Sequence, residues 1–122
     1  MKIGFITVYT IDIQKSIDFY ERVLGFTVSR RFSPSAGIEI AFMDDGHGQQ
    51  IEFIKDLKEL PYSGSGLSLG FYVENITKTL AHLEGHGVEI LFGPLTMESG
   101  VKLLHARDSN GLELGFVEPA PR

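Results

Sequence analysis

Asp12-Ile13-Gln14-Lys15-Ser16-Ile17-Asp18-Phe19-Tyr20-Glu21-Arg22-Val23-Leu24-Gly25-Phe26 is the stretch on which the reading of the fold turns. Asp12 suits an N-cap, because its short carboxylate can accept from the orphan amides of a first helical turn. Ile13, Ile17, Tyr20 and Leu24 then recur at helical spacing and predict an amphipathic helix. Gly25 stands where the chain leaves such a helix through a left-handed residue. Working outward, residues 3–10 alternate and are rich in β-branched side chains, which predicts a strand ahead of the helix. Downstream, residues 26–32, 38–43 and 50–54 read as three more strands. A Ser-Pro-Ser-Ala-Gly turn and an Asp-Asp-Gly-His-Gly turn separate them. The order is βαβββ.

Residues 55–66 read as a linker, with Pro61 and the run Ser63-Gly64-Ser65-Gly66. The pattern then restarts. Residues 67–73 predict a strand, Asn75 a cap, Ile76, Leu80 and Leu83 a helical stripe, and Gly87 its end. Residues 88–92, 101–105 and 112–117 complete a second βαβββ unit. A shift of 63 positions pairs Tyr9 with Tyr72, Asp12 with Asn75, Ile13 with Ile76, Lys15 with Lys78 and Glu21 with Glu84. It also pairs Asp45 with Asp108, Gly48 with Gly111 and Phe53 with Phe116. Only the helix ends, Gly25 and Gly87, need a one-residue adjustment. One offset that serves both ends of a unit marks an internal duplication, too short for a solenoid. The expected fold is α+β, one domain over residues 1–122, made of unit one (1–54), the linker (55–66) and unit two (67–118).

Residues 12–20 with Leu24-Gly25-Phe26 resemble the D-x-x-x-S-x-x-F-Y…L-G-F signature of the vicinal oxygen chelate superfamily. This is the family of glyoxalase I, extradiol dioxygenases, fosfomycin-resistance enzymes and bleomycin-binding proteins. Arg107-Asp108-Ser109-Asn110-Gly111 is similar to its second signature, D-P-x-G, with Ser109 in place of the proline. The resemblance runs over nearly the whole chain. It implies two pseudo-symmetric units curling into a mixed sheet around a cleft, helices outside, and commonly a homodimer. The fold hosts many reactions, so the likeness alone does not select one.

Enzymes of this family usually hold a divalent metal in the cleft through four positions, one on the first and one on the last strand of each unit. Those positions fall here on Phe5, Glu52, Ser68 and Gly115. Phe5 and Gly115 offer no donor and Ser68 is a poor one, whereas a catalytic site needs about three protein ligands. No cofactor is therefore expected, with a divalent metal as the alternative; a rebuilt set would be Glu52 with Glu113 and His105. Strand alternation places Phe5, Thr7 and Tyr9 on the cleft side with Gln50, Glu52 and Ile54. In the second unit it places Ser68, Gly70 and Tyr72 there with Glu113, Gly115 and Val117. The candidate ligand-binding residues are accordingly Phe5, Thr7, Tyr9, Glu52, Ser68, Tyr72, His105 and Glu113. Glu52 is the candidate acid or base, because a carboxylate among aromatics needs a partner or a task. The competing readings are a hydrogen bond between Glu52 and a tyrosine hydroxyl, Ser68 or the other subunit, ordinary packing of Tyr9 and Tyr72, and a strand histidine at 105 bonded to a backbone or carboxylate partner. His47, His82 and His86 read as surface residues.

Composition narrows the classes further. The 122 residues carry a net charge of −5, without the clustered cations a nucleic-acid surface needs. Arg30-Arg31 reads as a strand-edge feature. No apolar run reaches the roughly 18–20 residues of a membrane span, and the first residues do not read as a secretion signal. A cytoplasmic location is the default expectation. With no cysteine, thiolate chemistry and disulfides are excluded. No Walker loop and no G-x-S-x-G motif is present. The leading expectation is a protein binding a small organic molecule without the usual metal. The alternatives are a metal-dependent glyoxalase-type lyase, isomerase or dioxygenase, and a non-catalytic structural or regulatory domain.

Overall fold

A computed structural model describes residues 1–122 as two compact units, residues 1–62 and 63–122. Unit one contains β1 (Ile6–Tyr9), α1 (Ile13–Arg22), β2 (Thr27–Ser35), β3 (Ile38–Asp44) and β4 (Gln50–Asp56). Its sheet has the order β1-β4-β3-β2, with β1 parallel to β4 and the other pairs antiparallel. Unit two contains β5 (Ser68–Tyr72), α2 (Ile76–Gly85), β6 (Ile90–Thr96), β7 (Lys102–Arg107) and β8 (Glu113–Glu118). Its order is β5-β8-β7-β6, with β5 parallel to β8.

The duplication extends to individual hydrogen bonds. Asp12 accepts from the Lys15 amide at the start of α1, and Asn75 accepts from the Lys78 amide at the start of α2. In the first unit Asp45 Oδ1 accepts from the amides of His47 and Gln49; in the second, Asp108 Oδ1 accepts from those of Asn110 and Leu112. Each aspartate closes the last hairpin of its unit by satisfying two turn amides that would otherwise lack partners. The proline of the family signature is thus dispensable for this turn, because the geometry rests on Asp108.

Each helix covers one face of its own sheet. Ile13, Ile17 and Tyr20 are buried from α1, over Val8, Ala41, Met43, Ile51 and Phe53. Tyr20 meets Phe26 and Phe53 edge-on, with ring centroids 5.4 and 4.9 Å apart. Ile76 and Leu83 are buried from α2, with Leu69, Leu104, Ala106, Leu114 and Phe116 buried in its sheet. These residues alternate along each strand with those of the face turned away from the helix.

Several element boundaries differ from the sequence reading. The first strand begins at Ile6 rather than residue 3, where pairing with Ile51 begins. Ser33-Pro34-Ser35 continues β2 rather than forming a turn. As an edge strand, β2 tolerates a residue without an amide hydrogen, and its register shifts between Phe32 and Ser35. The last strand of unit one reaches Asp56, into the segment read as linker, because Ile38 and Glu39 of β3 pair with Asp56 and Lys55. In β6 the strand likewise continues through Gly93-Pro94 to Thr96. There the one-residue adjustment is recovered. Partners of His105 and Leu103 in β6 are Phe92 and Leu95, three apart, whereas their equivalents Arg30 and Phe32 in β2 are two apart.

Candidate functional site

The face of the first sheet turned away from α1 is built in rows across the strands. One row is Arg30, Phe42, Glu52 and Thr7, in register from β2 to β1. The next is Phe32, Ile40, Ile54 and Tyr9. Glu52 is only 9% exposed, yet it has a partner: the Thr7 hydroxyl donates to its Oε1 over 2.6 Å. That bond removes the difficulty raised by the sequence, a carboxylate among aromatics with nothing to bind. Phe5 meets Phe42 edge to face at 5.5 Å, and the Arg30 guanidinium lies 4.8 Å from the centre of the Phe32 ring. Phe5, Tyr9 and Phe32 remain substantially exposed. Arg31 points the other way, donating to Gln14 of α1 and pairing with Glu39, so the two arginines form no basic patch.

The equivalent row in the second sheet is Phe92, His105, Gly115 and Gly70. His105 Nδ1 lies 3.0 Å from Glu113 Oε2, and the Phe92 ring stacks on the imidazole at 4.3 Å. Ser68 is in register with Glu113, one row along. Tyr72 does not mirror Tyr9. It is 87% exposed and lines a shallow depression of about 470 Å³ with Glu74, Glu118, Pro119 and Pro121. His47, His82 and His86 are exposed, the last two with rings 4.6 Å apart on one side of α2.

Phe32, Phe42, Arg30 and Phe92 belong to these faces but are missing from the sequence-based site. They lie on the middle and edge strands β2, β3 and β6, whereas alternation along the first and last strands of each unit reaches only β1, β4, β5 and β8. The signal is nevertheless present: Phe42 and His105 are 63 residues apart, so a candidate at 105 implies one at 42.

The fit to a divalent metal can be judged from the donors. His105 and Glu113 are within reach of one another, but no group of three His, Asp or Glu side chains converges to hold an ion. Glu52 belongs to the first unit, and Glu113 and His105 to the second. Of the four positions implied by the resemblance, Phe5 and Gly115 carry no donor atom. These residues do not fit the four-ligand metal centre.

The family model described as Glyoxalase/Bleomycin resistance protein/Dioxygenase superfamily matches residues 2–116. The chain belongs to this superfamily. Among solved structures, a glyoxalase family protein from Bacillus cereus is 19% identical with a TM-score of 0.83, over 99% of this chain and 95% of that one. An antibiotic binding protein from Streptomyces, TnmS3, is 19% identical with a TM-score of 0.78, over 98% and 97% of the two chains. The trypanothione-dependent glyoxalase I of Leishmania major is 18% identical with a TM-score of 0.79, over 97% and 86%. No curated protein matches the sequence significantly. At such identities the superfamily's fold is shared, and the site must speak for itself. Neither helix of this superfamily member is long and apolar enough to cross a membrane.

Proposed function

We propose that this member of the glyoxalase/bleomycin-resistance superfamily binds a small planar organic molecule on the sheet faces turned away from its helices, without the divalent metal usual in the enzymes. The observation that carries this reading is the first-sheet face, where exposed Phe5, Tyr9 and Phe32 share a face with a buried acid that already has a hydrogen bond. Aromatic surface left beside an ordered polar group suits a flat ligand, with stacking worth about 0.5–1.5 kcal/mol per ring beyond area burial. The Thr7 bond uses one of the lone-pair sites of Glu52, so its carboxylate retains capacity to orient a basic or hydrogen-donating ligand group. The structural likeness to an antibiotic binding protein accords with this reading.

A thermal-shift screen of a mixed library should give hits among basic or neutral aromatics, and Glu52→Gln and Tyr9→Ala should weaken them several-fold. The glutamine keeps an acceptor for Thr7, so its effect reports on the charge rather than on folding. Hits confined to acids, or hits indifferent to both substitutions, would overturn the reading. So would one equivalent of Zn, Ni, Mn or Fe per chain surviving dialysis against chelator, which would favour a metal-dependent lyase, isomerase or dioxygenase.

We also propose a homodimer. Each unit ends in edge strands, β1 and β2 or β5 and β6, and Ile6, Val28 and Leu95 on these edges are exposed. Pairing would cover such edges. Light scattering at micromolar concentration should return twice the chain mass of 13.5 kDa; the single-chain mass would refute it.

A further inference from the structure

The two sheets carry equivalent positions with opposite chemistry. In the first, Phe5 and Phe42 meet edge to face beside Glu52. The shift of 63 residues puts Ser68, His105 and Gly115 in those three places. An apolar pair beside an acid has become a polar pair beside a residue with no side chain.

The missing side chain lets a neighbouring ring close over this position. A Cβ added at Gly115 would lie 3.3 Å from His105 Nε2, 3.4 Å from its Cε1 and 3.6 Å from Ser68 Oγ. The imidazole therefore leans over Gly115, into the space that the root of the Glu52 side chain occupies in the other sheet. Phe92, stacked against the ring, supports it from the β6 side, and Glu113 holds Nδ1. A carboxylate can only accept, so the Nδ1 proton is the one donated to Glu113. In the neutral ring this leaves Nε2 as an acceptor over Gly115, on the side of a serine hydroxyl that can donate. Ser68 is exposed and Phe92 is 43% exposed, so these polar atoms are reachable and have apolar surface beside them.

We infer that Ser68, His105 and Glu113 form a receptor for the hydroxyl group of a planar ligand, a phenol or enol. The ligand O–H donates to His105 Nε2, its oxygen accepts from Ser68 Oγ–H, and its ring lies along Phe92. Glu113 is a positioning residue that sets the tautomer. A carboxylate ligand would offer no donor to Nε2 and would bring negative charge beside Glu113. This inference rests on the proposal that the sheet faces bind a flat organic molecule, and it specifies the polar group that such a molecule carries.

The test compares 2-naphthol with 2-methoxynaphthalene by fluorescence and calorimetric titration of the full chain. The methyl ether keeps the ring and loses the donor. Wild type should bind the naphthol roughly tenfold more tightly, the range of one or two well-made hydrogen bonds. His105→Phe restores the residue of the first sheet and should bring the ratio close to one. Glu113→Gln should do something that a merely structural role would not: its amide can either accept from Nδ1 or donate to it, so the tautomer is no longer fixed and the preference for the naphthol should fall while binding of the ether stays the same. Gly115→Ala should weaken both compounds by pushing the imidazole from its place over residue 115. A ratio near one in wild type, or a tenfold ratio that survives all three variants, overturns the inference. If neither compound binds, the inference fails; library hits that remain sensitive to Glu52→Gln would then show that the broader ligand-binding proposal still holds.

Discussion

Phe53→Ala is expected to cost about 3–5 kcal/mol of unfolding free energy, the usual range for emptying a buried aromatic site. Phe53 is fully buried on β4, the strand that pairs with both β1 and β3, and its ring meets Tyr20 of α1 at 4.9 Å. Removing it takes away the surface against which α1 is seated and leaves a cavity bounded by backbone on the sheet side, where collapse is difficult. Urea unfolding should show the midpoint falling by about 2 M, given an m value of roughly 1–3 kcal/mol per molar. Phe53→Leu, which keeps most of the volume, should cost less than about 1.5 kcal/mol. A loss below about 1 kcal/mol for the alanine variant would mean that Phe53 does not anchor the first unit.

Gly93→Ala should be nearly as damaging, at about 2–4 kcal/mol, for a reason that owes nothing to hydrophobic burial. A Cβ there would lie 2.6 Å from the Leu103 carbonyl oxygen and 3.1 Å from the Leu104 Cα, both of them backbone atoms. Neither can swing aside without separating β6 from β7. The residue also sits at φ +98°, a conformation that side-chain-bearing residues seldom adopt. Gly46→Ala provides the control. Gly46 has φ +81° but open space where the methyl would go, so only the conformational cost of about 1–2 kcal/mol remains. Equal losses for the two variants in thermal or urea unfolding would show that the close approach at Gly93 is not what matters. Because Phe92 precedes Gly93 and stacks on His105, the variant should also disturb the second-sheet site.

The two sites differ in how legible they were. Glu52 on the face opposite α1 follows from alternation alone, since Phe53 must go inward and its neighbours outward. Its hydrogen bond to Thr7 could not be read, because it depends on β1 lying parallel to β4 with Thr7 opposite Glu52. No periodicity in a single strand states which residue of another strand stands beside it. Tyr9 and Tyr72 show the limit of the duplication. They occupy equivalent strand positions, yet Tyr9 is 37% exposed and Tyr72 87% exposed. A repeat conserves backbone positions, whereas exposure depends on neighbours that the repeat does not copy.

The sequence by itself determined the order of elements, the duplication, the caps and the closing turns. These depend on residue type within a few positions: Asp12 and Asn75 beside free amides, Asp45 and Asp108 at the mouths of hairpins, and glycines where the chain turns left-handed. It also determined that the usual metal donors are absent at Phe5 and Gly115, which is a matter of identity rather than geometry. Only the tertiary structure decided how far the edge strands run through their prolines, since that depends on which side of β2 and β6 lacks a neighbour. It alone decided that His105 leans over Gly115, with Glu113 on one nitrogen and Ser68 on the side of the other. That arrangement joins three strands, and the contact distances that give it chemical meaning exist only once those strands are laid side by side.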